Sequence, residues 1–264
     1  TSFSFKEWKE FIKYCKKKKI IFLCSPFSIL AAKYLKKLSI PAWKIASGEF
    51  NNKLLIKNIS LISNKPMILS TGLSDHNEIK SIVKYLKKLK VKFALLQCTS
   101  EYPTDILKVG HTMIEKFKNQ FKVPIGLSDH SGNLNSVIAG IVMGAAVIEV
   151  HVVLDKKYFG PDSASSITFD DLKLISSFNN DFNKIKNSNI KKINSKKILS
   201  MKYLFNKSLI ASRDIKIGSK ISLKDLKDAK PNIGISASNF EKILGKKIKK
   251  NLKKGNFFYF RDFD

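Results

Sequence analysis

The sequence predicts an α/β fold: parallel strands alternating with outer helices, then a small β-rich module. Two observations carry this reading. Short β-branched runs ending in polar residues alternate six times with segments of helical period. After Asn179 the composition shifts, first to an Asn-, Lys- and Ser-rich stretch and then to short strands punctuated by glycine turns. At 264 residues the chain is long enough to bury a large core.

The elements follow in order. Ser4 and Glu7 form an S-x-x-E capping box, and Phe5, Trp8, Phe11, Ile12 and Cys15 recur at helical spacing. A strand is expected at 20–24, ending in Ser25-Pro26-Phe27-Ser28, then a helix over 29–38. A strand at 42–46 ends in Ser47-Gly48-Glu49 and leads to a helix over 51–62. A strand at 66–69 ends in Ser70-Thr71-Gly72 before a helix over 76–89. A strand at 92–97 runs into Cys98-Thr99-Ser100-Glu101-Tyr102-Pro103, with a helix over 112–119. V-P-I-G-L-S-D-H, a crossover helix over 133–143 and A-V-I-E-V-H-V-V form the next βαβ unit, and G-P-D-S-A-S-S leads to a last helix from Thr168. A closed barrel of this kind has eight strands. The expectation is therefore a (β/α)8 TIM barrel lacking its first two strands in this chain, the missing pair lying before Thr1. Residues 1–180 are read as the partial barrel, 181–200 as a linker and 201–264 as the β-rich domain, with turns at Gly218 and Gly255 and one helical turn before Gly245.

Where the apolar pattern of two consecutive strands stops, His130 and His151 stand at the carboxyl ends, which in α/β barrels face the mouth where chemistry is done. Two imidazoles there can share one divalent ion; a hydrogen-bonded structural role is the alternative for each. Each adjoins an acid, Asp129 or Glu149. Ser25, Ser47, Ser70, Thr71, Thr99, Ser100 and Ser128 also end strands, and Lys44 lies shortly before Ser47. Hydroxyls and backbone amides with a lysine suit a phosphate or carboxylate, although any one serine there can simply cap a helix. Gly72-Leu73-Ser74-Asp75-His76 repeats the letters of Gly126 to His130, but its position after the strand makes Ser74 or Asp75 a helix cap. His76 and His111 are read as structural.

No run of about 18 apolar residues and no signal-peptide pattern is present. Cys15, Cys24 and Cys98 are odd in number and form no C-x-x-C pair, which fits free thiols in a reducing cytoplasm. The formal charge is +28, yet of 49 basic residues only Arg213 and Arg261 are arginines. The lysines spread over every expected helix except the apolar one at 133–143, so the charge reads as solvated helix faces rather than a nucleic-acid surface, and no membrane partner is expected.

The motifs K-I-A-S-G-E (44–49), L-S-T-G (69–72), Q-C-T-S-E-Y-P (97–103), G-L-S-D-H (126–130), I-E-V-H (148–151) and G-P-D-x-x-x-S (160–166) resemble, in order and spacing, those of the sialic acid synthase family. The tail is similar to that family's antifreeze-like (SAF) domain. The resemblance implies condensation of phosphoenolpyruvate with an N-acetylated hexosamine aldehyde, N-acetylmannosamine or a diacetylated analogue, to a nonulosonic acid and phosphate. It implies Mn²⁺ or Mg²⁺ on His130 and His151, and a cytoplasmic homodimer in which one SAF domain caps the partner's barrel. It further implies that Ser25, Lys44, Ser47, Ser70, Ser100 and Ser128 hold phosphoenolpyruvate, with Ser25 and Ser100 where related enzymes can have Thr and Asn. Glu49, Tyr102 and Asp162 match sugar-site positions. Lys44, Glu49, His130 and His151 form the candidate catalytic set. Two departures stand out. Ala229-Lys230-Pro231-Asn232 replaces the family's K-R-P-G, leaving Lys230 as the basic candidate for the sugar. The family's first two strands, with a glutamate and a further lysine, are not in the chain, so little activity is expected from it alone. An inactive barrel remnant with a sugar-binding SAF module, and another divalent-metal aldolase, are the alternatives.

Overall fold

Parallel strands need long crossovers, and the spacing of the β-branched runs leaves room for a helix in each. The computed structural model describes residues 3–189 and 196–264. The chain divides into two units, 1–188 and 189–264. In the first, six strands pair in sequence order: β1 (Trp43–Ile45), β2 (Met67–Ser70), β3 (Phe93–Cys98), β4 (Ile125–Asp129), β5 (Ile148–Val153) and β6 (Ser166–Thr168). Every pairing is parallel. Seven helices accompany them: α1 (Phe5–Lys17), α2 (Ile29–Lys36), α3 (Lys53–Ile62), α4 (His76–Lys88), α5 (Thr112–Phe121), α6 (Leu134–Val142) and α7 (Phe169–Lys186).

The strand count agrees with the reading of the sequence, but one member differs. The run at 20–24 is not a strand: Ile20 and Ile21 are exposed, and the Ile20 amide donates to the Cys15 carbonyl at the end of α1 rather than to a ladder. A β-branched run becomes a strand only where a neighbour takes its backbone groups. Conversely, Ser166-Ile167-Thr168, read as the end of a loop, pairs with His151 to Val153. Three residues with one apolar centre give too short an alternation to be read.

Pleating sends alternate side chains to opposite faces of the sheet. Trp43, Ile45, Met67, Leu69, Leu95, Ile125 and Leu127 are buried in one core with Leu55, Ile56 and Ile59 of α3, Ile82 and Leu86 of α4, and Ile114 and Phe117 of α5. Val137, Ile141, Ile167 and Ile175 make a second cluster around α6 and α7. Local signals set the helix starts. Ser4 with Glu7, Asp75 with Glu78 and Thr168 with Asp171 form reciprocal capping boxes at α1, α4 and α7. α7 continues to Lys186, six residues into the stretch expected to be linker. The linker's centre, 190–195, lies outside the described residues.

The second unit opens with α8 (Lys196–Phe205), a helix the composition did not announce. β7 (Ser208–Ala211) pairs antiparallel with β8 (Leu226–Ala229), and single bridges such as Ile215 to Leu252 and Lys220 to Lys247 link the loops. Gly218 and Gly255 have φ of +80° and +86°, as their turns require. Leu209, Ile221, Ile243, Ile248, Leu252 and Phe258 form its core.

Asp225 organises this unit. Its buried carboxylate accepts from the Ser222 amide and hydroxyl at 2.9 and 2.6 Å and from Arg213 Nε at 2.6 Å. Burial alone pushes its pKa up, but Ser222 and the Arg213 guanidinium outweigh that and hold it below the usual carboxylate range. A depressed folded-state pKa means the stability is present above the unfolded value, about 3.9, and is lost as pH falls through the folded value. Asp225→Asn should therefore destabilise the protein at pH 7 by about 1–3 kcal/mol and reduce its loss of stability below about pH 4. Urea unfolding curves at pH 7 and pH 3 check both outcomes.

Candidate active site at the carboxyl ends of the strands

The face of the sheet opposite the helices gathers the polar residues. In register, Cys98 lies beside Ser128 and Ser128 beside Glu149, one row of inward side chains across β3, β4 and β5. His130 and His151 follow two residues after Ser128 and Glu149, so pleating carries both imidazoles toward the same side. These residues line a cleft of about 220 Å³ with Lys44 of β1, Ser70 of β2, Ser25, Ser47 and Tyr102. A larger cavity of about 550 Å³ lies along α1, walled by Phe3, Trp8, Phe11 and Phe22. Its walls are mainly apolar, and of the acids beside it, Glu7 and Glu10, Glu7 is held by the Ser4 amide in the α1 capping box. The strand-end cleft gathers more convergent polar groups, and convergence rather than size marks a site.

At the centre is an ion pair. Lys44 Nζ is 3.3 Å from Glu149 Oε1 and donates to Ser70 Oγ at 2.8 Å. Ser128 Oγ donates to the same carboxylate oxygen at 2.8 Å, and Ser70 Oγ reaches it at 3.4 Å. On the rim, Ser100 Oγ donates to Ser47 Oγ at 3.3 Å.

The imidazoles lie side by side, ring centres 5.2 Å apart. His130 Nδ1 donates to the Thr99 carbonyl at 3.0 Å, which fixes the neutral tautomer and leaves the Nε2 lone pair facing the Tyr102 hydroxyl at 3.4 Å. His151 Nδ1 stands 3.8 Å from Asp162 Oδ2. Among the described residues no group of three or more His, Cys, Asp or Glu side chains is placed to hold an ion. The donor set is two imidazoles, one with its ligating nitrogen set by a backbone carbonyl. That suits a divalent ion whose remaining positions are filled by substrate or water.

Support comes from behind β4. Asp129 points to the helix side, accepting from the Ser131 amide at 2.7 Å and from the Ser136 hydroxyl of α6. His111 Nε2 donates to the Ser136 carbonyl at 2.8 Å. Gly132 closes the loop after His130 with φ +62°, where a Cβ would lie 2.5 Å from the Ala164 carbonyl oxygen.

Not all the residues singled out in the sequence converge. Ser25, Lys44, Ser47, Ser70, Tyr102, Ser128, His130 and His151 line the cleft; Ser100 and Asp162 touch its members. Glu49 does not line it: it sits in the turn after β1 and accepts from Asn52 at 2.7 Å. Lys230 belongs to the second unit, its ammonium 5.2 Å from the centre of the Phe205 ring. His76 is the first residue of α4, after the Asp75 cap, and stacks on Phe117.

Glu149 was noticed in the sequence only as a neighbour of His151, yet it is the cleft's central acceptor. The signal was the i, i+2 spacing in I-E-V-H, which puts both on one face of a strand. Cys98 was missed because a small apolar residue in a strand carries no chemical signature.

These features define a parallel α/β chain with a polar cleft at its strand ends. Comparison with known proteins then names its family. Residues 1–204 match the NeuB family and residues 206–264 the SAF domain, and the chain belongs to the NeuB family. It is 36% identical over 251 residues to the N,N'-diacetyllegionaminic acid synthase of Campylobacter jejuni, covering 94% of this chain and 75% of that protein. It is 33% identical to the same organism's pseudaminic acid synthase, over 90% of this chain and 68% of the relative. Among solved structures, the N-acetylneuraminic acid synthetase of Leptospira borgpetersenii superposes with a TM-score of 0.69 at 28% identity, covering 76% of this chain and 70% of the other.

The cysteines are free. Burial pushes the Cys98 thiol up, more strongly than hydrogen bonds from Ser128 and Ser100 bring it down. Burial likewise raises Tyr102, with nearby acidic groups adding to it. A thiol that is both covered and hard to ionise reacts slowly. Native protein at pH 7.5 should leave Cys98 unmodified by a thiol-titrating disulfide reagent, and denatured protein should expose all three cysteines. Peptide mapping after labelling reads this directly.

Proposed function

We propose that this chain serves a nonulosonic acid synthase, joining phosphoenolpyruvate to the open-chain aldehyde of an N-acetylated hexosamine with release of phosphate. The observation that carries the reading is one cleft holding Lys44 and the hydroxyls of Ser47, Ser70 and Ser128 beside the imidazoles of His130 and His151. A lysine among hydroxyls is a site for a small multiply charged anion. Family membership and the activities for which the relatives are named support the same reaction.

In this reading Lys44, Ser25, Ser47, Ser70, Ser100 and Ser128 hold the phosphate and carboxylate of phosphoenolpyruvate and aim its C3 at the aldehyde carbon. As the C–C bond forms, the aldehyde oxygen takes a proton and becomes a hydroxyl. Water adds at C2, and the tetrahedral intermediate expels phosphate to leave the 2-keto acid. Tyr102 and Asp162, beside the imidazoles, contact the sugar, with Glu49 at the turn after β1. His130 and His151 would hold Mn²⁺ or Mg²⁺, which when bound supplies Lewis acidity at the aldehyde oxygen.

The wider setting is a cytoplasmic homodimer whose SAF domain, through Lys230, covers the cleft of a second copy. Three free cysteines support the compartment. Exposed Leu199, Leu204 and Phe205 on α8 support an apolar contact. No helix among the described residues is long and apolar enough to cross a membrane.

Phosphate release from phosphoenolpyruvate, measured with Mn²⁺ and a panel of N-acetylated mannose-type sugars, tests the reaction. The diacetyl product in one relative's name puts a di-N-acetylated sugar first in that panel. Release should depend on the sugar and stop with a chelator. His130→Ala should cut it by about a hundredfold or more, and Lys44→Ala should raise the KM for phosphoenolpyruvate by roughly 10- to 100-fold. No sugar-dependent release from the folded product of the full-length open reading frame would sink the proposal.

A further inference from the structure

The groups that hold the anion in the proposed function are not idle. One oxygen of Glu149 faces three of them: Lys44 Nζ at 3.3 Å, Ser128 Oγ at 2.8 Å and Ser70 Oγ at 3.4 Å. A carboxylate and a phosphate cannot share those donors, because they would bring like charges together in a recess shielded from water. Among the described residues lining the cleft Lys44 is the one ammonium, and Glu149 cancels its charge.

The two partners differ in freedom. The Lys44 side chain is 11% exposed and Glu149 is 38% exposed. Lys44 also donates to Ser70 and to the Ile45 carbonyl at 3.2 Å, so three acceptors fix its ammonium. A covered ammonium without a counter-charge is costly. A carboxylate at the open side can rotate into water at little cost. If one member of the pair moves, it is Glu149.

We propose that Glu149 is a built-in competitor for the anion site. It neutralises Lys44 and holds Ser70 and Ser128 in position, and a phosphate-bearing substrate binds by displacing it. The consequence is a specificity filter. A ligand gains the site only if it offers Lys44 and both hydroxyls more than one carboxylate oxygen does, which selects multiply charged anions over single carboxylates. The inference rests on reading the cleft as the phosphoenolpyruvate site.

Inorganic phosphate is a sufficient probe, with binding followed by calorimetry on wild-type protein, Glu149→Gln and Glu149→Ala, each checked for folding by circular dichroism. Removing the competitor should tighten phosphate binding at least about tenfold in both variants, and adding Lys44→Ala to Glu149→Gln should erase the gain. A scaffolding role for Glu149 predicts the opposite sign, because a disordered site binds more weakly. Wild-type binding that neither variant improves would overturn the competition and leave the anion site standing. Phosphate binding by the variants but not by wild type would support competition in its strongest form. If none of the three binds phosphate, this inference and the reading of the cleft fall together.

Discussion

The parallel pairing of β4 with β5 is the constraint on which the cleft depends. It sets Ser128 beside Glu149, and because side chains alternate strictly along a strand, it also carries His130 and His151 to the same side. A slip of β4 by one residue would exchange Ser128 for Asp129 and turn the His130 imidazole toward the helices, away from His151. What prevents the slip is on the reverse face. Leu127 is fully buried in the main core and the Asp129 carboxylate is bound by Ser136 of α6, so the apolar side of the sheet enforces the polar side.

The same alternation explains why the charge at the centre is tolerated. Lys44 lies between Trp43 and Ile45, both buried against the helices, and its side chain therefore enters a recess where water reaches it poorly. An ammonium there needs a partner, and Glu149 supplies it from four strands away in the sheet order. Only a curved sheet can bring β1 and β5 that close. The ion pair thus records the curvature of the sheet, and its partition between a covered lysine and a half-open carboxylate gives the cleft a direction in which to change.

Helix boundaries were the most legible feature of the sequence because they are written locally. Ser4, Asp75 and Thr168 cap their helices with residues three positions away, and Gly218 and Gly255 take the positive φ that their turns suggested. Strand identity was less legible: 20–24 carries an apolar run with no ladder, while Ser166–Thr168 carries almost no pattern and is paired. α8 escaped for a related reason, since its apolar residues are not gathered on a buried face. The motif spacing brought most of the candidate residues of the first unit into one cleft, but Glu49 does not line it, for its neighbourhood depends on the turn after β1.

By itself the sequence determined the alternation of strands and helices, the helix caps, the two-part organisation of family and SAF modules, and the strand-end position of His130. Those are properties of short windows, where hydrogen bonds to near neighbours and a repeat of two or 3.6 residues decide the outcome. His151, expected at a strand end, lies within β5, two residues before its end, because β6 continues the ladder past it. Only the tertiary structure decided that Glu149 meets Lys44, Ser70 and Ser128. These four residues lie on four strands, separated by 21 to 105 positions in the chain, and no local rule relates them. The curvature and register of the whole sheet place them together, which is why the acid at the centre of the cleft was invisible until the strands were assembled.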